Sequence, residues 1–135
     1  IYSSGYNVFK NHILFGAGNK NYRIETCEKT NDNIRYHCTT HPHQTYFEFL
    51  SEHGLIGSFI LLFVFFKLIF GQFKKIIKSK NALQLGGFIY LLVVFLPILP
   101  SGAFFNDFNL TLFWLNLSLI YATDNRSNIF NLEKK

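Results

Sequence analysis

The chain has 135 residues, the length of one ordinary domain, but only 16% of them are charged and 19% are aromatic, with seventeen Phe. That balance excludes an ordinary soluble domain. The net charge of +5 does not make a nucleic-acid face, because the basic residues gather at Lys74, Lys75, Lys78 and Lys80 and at the Lys134 and Lys135 tail.

The sequence divides near residue 53. Residues 1–53 are polar and mixed, whereas residues 54–135 form a membrane region rich in Leu, Ile, Phe and Val. The pattern starts abruptly at Ile1 and contains no Met, so the chain reads as the C-terminal piece of a longer protein. The first local signal is Gly16-Ala17-Gly18, a tight turn without the third glycine of a dinucleotide fingerprint. Lys20, Arg23 and Arg35 follow it. Arginine suits bidentate phosphate contacts, although each of these cations reads equally as a solvated surface residue.

Thr40-His41-Pro42 looks like a helix start, since Pro is well placed at the first helical position. From there His43, Tyr46, Leu50 and His53 share one face, Glu48 and Glu52 share another, and Gly54 supplies a cap or bend. The spacing thus predicts a short surface helix with His43 near its N-terminus. Such a position favours anions and disfavours an imidazolium, which leaves a neutral imidazole fit for general-base work. Two other readings of the histidines stay open. They are interfacial polar residues, or they join His37 and Cys38 as metal ligands. Four donors within seven residues match no common zinc spacing, so no metal is expected.

A spanning helix needs about 20 apolar residues. The expected spans are 55–73, 83–99 and 108–122, with Lys67 the only charge in the first and Trp114 in the third. Pro97 and Pro100 end the second span, and residues 101–107 form a short turn. The expected class is therefore all-α, a polytopic membrane fragment in which a polar loop and short surface helix precede about three transmembrane helices. The basic stretch at Lys74–Lys80 sets the following loop in the cytoplasm. Residues 1–53 and the 100–107 turn then face the other side, and the tail from Asp124 returns to the cytoplasm. A Cys27–Cys38 disulfide is permitted on the oxidising side, with two free thiols as the alternative.

Phe15-Gly16-Ala17-Gly18-Asn19, then His41-Pro42-His43-Gln44, then Glu52-His53-Gly54-Leu55-Ile56-Gly57, in that order, resembles the O-antigen ligase and polymerase family. Ser101-Gly102-Ala103-Phe104-Phe105-Asn106 also looks like it. The resemblance implies a metal-independent glycosyltransferase of the bacterial inner membrane, with residues 1–53 periplasmic. The implied donor is an undecaprenyl-diphosphate-linked glycan, with no further cofactor. The acceptor is lipid A-core in a ligase, or another glycan unit in a polymerase. Carried over by motif, His43 is the base and Arg23 or Arg35 holds the diphosphate, with His41, Gln44 and Glu52 as further substrate-binding candidates. Gln44 stands where Asn is usual, which retains the amide but lengthens its reach. A reading from another class is a membrane transporter component with proton-relaying histidines. It expects ionisable residues inside the spans, where Lys67 stands alone.

Overall fold

The computed structural model describes residues 2–29, 36–97 and 100–122. Arg35 and the tail from Asp124 lie outside the described residues, as does the end of the expected second span. Among the described residues six helices follow one another: α1 (Tyr2–Asn11), α2 (Tyr22–Lys29), α3 (Thr45–Gly71), α4 (Phe73–Ser79), α5 (Ala82–Val94) and α6 (Asp107–Ala122). The all-α class holds among the described residues, with one helix long and apolar enough to cross a membrane. The N-terminal part, however, is more helical than the expected loop, because α1 and α2 pack against the start of α3. Val8 of α1 and Tyr22 of α2 are fully buried. The Ser4 hydroxyl of α1 accepts the His37 N–H at 3.2 Å.

The helix expected from Pro42 begins instead at Thr45. His43 sits in the left-handed region at φ 56°, which no α-helix tolerates in its interior. Gln44 is extended and caps α3, its Oε1 accepting the Phe47 N–H at 2.8 Å. The run Thr45–Ser79 is long and apolar enough to cross a membrane. Within it the apolar segment proper starts after a break at Gly54 (φ 65°, ψ −168°). Phe59 and Phe63 on its outer face are 71% and 58% exposed, as expected of a helix that meets lipid or neighbouring helices.

The second expected span is cut short. α5 has 13 residues, about 20 Å at the helical rise, against a hydrocarbon core of about 30 Å. The residue before a proline is pushed out of helical geometry, and Pro97 lies just beyond. The last N–H groups, on Phe95 and Leu96, tighten onto Leu92 and Val93. Carbonyls left over are taken by α3 and its cap: the Tyr46 hydroxyl donates to Phe95 (2.7 Å) and Gln44 Nε2 to Pro97 (3.2 Å). α6 agrees closely with the third expected segment.

Phenylalanine builds the core. Phe49, Phe65, Phe95, Phe104 and Phe113 are all buried, and the Phe65 ring lies 4.9 Å from Phe113 and 5.8 Å from Phe104. This cluster ties α3, the end of α5, the turn before α6 and α6 into one unit. At the far end Ser79 donates to Gln84 Oε1 (2.6 Å) while Gln84 Nε2 donates to the Ile120 carbonyl (2.9 Å), so the buried amide is satisfied on both sides.

Cys27 of α2 is bonded to Cys38, with Cα atoms 4.3 Å apart. The bridge closes the segment between α2 and the histidines, and Cys38 cannot then serve as a thiolate ligand. Closing so short a loop is expected to contribute about 2–3 kcal/mol. The Cys27→Ser, Cys38→Ser double variant of the full-length protein should lower the melting temperature in detergent. An unchanged midpoint in non-reducing buffer would show that the bridge adds nothing.

Candidate functional site

The break in α3 organises everything around it. In an unbroken helix the N–H groups of Leu55 and Ile56 would reach the carbonyls of Ser51 and Glu52. At Gly54 that ladder opens, and residues 13–18 fill it from outside. Leu55 and Ile56 donate instead to the carbonyls of Ile13 (2.8 Å) and Leu14 (3.2 Å). The carbonyls of Ser51 and Glu52 accept from Ala17 (2.8 Å) and Gly18 (2.9 Å). Four main-chain bonds thus latch the Gly16-Ala17-Gly18 loop onto the helix. A side chain at Gly16 would collide with the Glu52 and His53 backbone, and one at Gly54 with the Leu14 and Phe15 backbone.

The latch sets Glu52 at the entrance of α2. Glu52 is 3% exposed; burial pushes its carboxyl above the ordinary carboxylate range, and the backbone N–H groups of Lys20 and Tyr22 at the helix start act against that shift. Lys20 and Arg23 are carried to the same place. An open cavity of about 420 Å³ results. Lys20, Arg23, Thr40, His41, Glu48 and Glu52 line it. Ala103, Phe105, Asn106 and Asp107, from the turn before α6, close it.

The two histidines stand as a pair, their ring centroids 4.1 Å apart. His41 lines the cavity, and its Nδ1 lies 2.9 Å from the Thr40 hydroxyl. His43 stands beside it rather than on a helix, and its carbonyl accepts the Ser101 N–H at 3.0 Å. Burial, and then the neighbouring His43, hold the His41 imidazole below the ordinary histidine range. A lowered value means the folded chain binds this proton less tightly than the unfolded chain does. His41 therefore contributes stability that is present above the unfolded value of about 6.5 and is lost as pH falls through the window below it. Melting temperature followed from pH 7 down to pH 5 should fall, and His41→Gln should flatten part of that fall. Parallel curves for the two proteins would remove His41 as the cause.

Residues 1–63 match the O-antigen ligase family model. The matched stretch holds α1, α2, the histidine turn, the latch and the start of the apolar segment. The family resemblance read from the motifs holds there, and with the long apolar helix it supports a membrane protein of O-antigen ligase- or polymerase-like function. No curated protein and no solved structure gives a significant match.

Set against that family segment, the candidate residues fall into two groups. Arg23, His41 and Glu52 meet at the cavity, with His43 against His41. Gln44 does not line it: both ends of its amide are engaged, one on Phe47 and one on Pro97. Its role in the structure is to cap α3 and hold the connection after α5. Lys20, Glu48, Asn106 and Asp107 are among the cavity residues absent from the expected set. Lys20 stood out in sequence only as a nearby cation. Glu48 read either as an ordinary helix-face residue or as one that orients the imidazole or the acceptor. Asn106 belonged to the Ser101–Asn106 stretch that looks like the family and Asp107 to the turn, but neither was assigned to the site.

Proposed function

We propose that the protein is a membrane glycosyltransferase that moves glycan from an undecaprenyl-diphosphate carrier to lipid A-core. The observation that carries this reading is a cavity lined by Lys20, Arg23 and His41, with His43 packed against His41, all four within a segment that matches the ligase family. Cations suit the diphosphate of the donor. His43 is the base: it takes the proton of the acceptor hydroxyl as that oxygen bonds to the anomeric carbon. The bond from that carbon to the diphosphate breaks, and the leaving group departs with the electron pair toward Lys20 and Arg23. Charge stabilisation of that leaving group matters as much as proton removal. His41, held neutral, adds no charge next to the base. The enzyme sits in the bacterial inner membrane with residues 1–53 periplasmic, and the reaction uses no metal and no cofactor beyond the lipid-linked donor.

The test uses the full-length protein in liposomes with labelled undecaprenyl-diphosphate glycan and separate acceptors. Label on lipid A-core establishes the ligase. A ladder of longer glycans on the carrier identifies the related polymerase instead. Label that stays on the donor with every acceptor, in folded protein, overturns the transferase reading.

A further inference from the structure

The family match ends at residue 63, yet the cavity does not. Its remaining wall is the connection between α5 and α6, and that connection is fastened to the histidine turn and the first turns of α3 by a series of hydrogen bonds. The Ser101 N–H donates to the His43 carbonyl, and the Thr45 hydroxyl donates to Ser101 Oγ at 3.1 Å. The strongest fastening is Glu48. This carboxylate is 2% exposed and accepts two successive backbone N–H groups, Phe104 at 2.8 Å and Phe105 at 3.3 Å. A buried carboxylate without partners is costly, so these two bonds fix both the side chain and the turn. Beyond Phe105 the turn presents Asn106 and Asp107 to the cavity. An aromatic edge next to an amide and a carboxylate is suited to sugar hydroxyls and the apolar face of a pyranose.

We propose that the α5–α6 turn is the glycan-binding wall of the transfer site and that Glu48 is the residue that positions it. This inference rests on the transferase reading above. Glu48 touches no reacting atom. It acts through Phe104 and Phe105, and the same connection holds the main chain of His43 through Ser101.

The experiment compares full-length wild type with Glu48→Gln, Glu48→Ala, Asp107→Asn and His43→Ala in liposomes, measuring kcat, KM for the lipid-linked glycan, and hydrogen exchange of the 103–107 backbone. Glu48→Gln keeps the volume and one carbonyl acceptor. It should speed exchange at 104 and 105 and lower kcat/KM by about a hundredfold, the scale of a misplaced site. Glu48→Ala should lose more than Glu48→Gln, and Asp107→Asn, on an exposed residue, should raise KM several-fold without changing the melting temperature. Unchanged exchange in Glu48→Gln overturns the positioning role. Faster exchange with wild-type transfer, or a wild-type KM in Asp107→Asn, overturns the wall. Transfer that survives His43→Ala overturns His43 as the base, and no transfer by wild type overturns the transferase reading itself, whereas transfer lost in His43→Ala but intact in Glu48→Gln overturns only the present inference.

Discussion

His43→Ala is expected to abolish the proposed glycan transfer by the full-length protein and to leave its membrane insertion intact. Loss of a general base lowers a rate by about 10²–10⁴-fold, enough to bring transfer to background in the labelled-donor assay. The position itself complicates the substitution, because residue 43 is held at φ 56°. Alanine is uncomfortable there, and a loss of activity from misfolding would look the same. His43→Asn is the better companion, since asparagine visits the left-handed region readily and the main-chain bond from Ser101 survives any side-chain change. Both variants should be inactive, and His43→Asn should melt within a degree or two of wild type. His41→Ala should retain measurable transfer. An active His43→Asn beside an inactive His41→Ala would move the base to the residue that lines the cavity.

Gly54→Ala and Gly16→Ala each unfasten the latch. Gly54 combines positive φ with ψ −168°, a conformation essentially reserved for glycine. Strain of this kind costs about 1–3 kcal/mol. Displacement of the Leu14 and Phe15 backbone by the added methyl then breaks main-chain bonds that are otherwise buried against α3. The expected loss is about 3 kcal/mol or more for each variant, measured as a lower melting temperature in detergent and as protease cutting between residues 12 and 22. Gly71→Ala is the control, since nothing lies within 4 Å of its added methyl. Equal melting of Gly54→Ala and Gly71→Ala would show that the latch adds no stability.

The limits of reading this chain by eye follow from which forces are local. An apolar run announced α3, because a membrane-length helix leaves its composition in consecutive residues. The end of α5 depends on Tyr46 and Gln44 reaching across to Phe95 and Pro97, and no window around residue 94 contains them. The helix start was misplaced for a similar reason. Pro42 carries a strong local preference, but the Gln44 cap and the left-handed His43 override it. The Gly16 and Gly54 motifs were visible separately, while their meaning lies in the bonds between them. The site followed the same rule: residues within the 1–63 stretch were legible from order and spacing, and the Ser101–Asn106 stretch was visible as a motif, but its place against the cavity was not, because Glu48 reaches it through backbone N–H groups that any residue type would supply.

The latch has an evolutionary corollary. When a side chain blocks a substitution, a smaller neighbour can make room, and the two positions drift together. Here the nearest obstacle to a methyl at Gly16 is the backbone of Glu52 and His53, and at Gly54 it is the backbone of Leu14 and Phe15. Trimming those side chains leaves the obstruction where it is. The two glycines are therefore expected to behave as independent requirements, with second-site suppressors arising only from changes that move a whole segment.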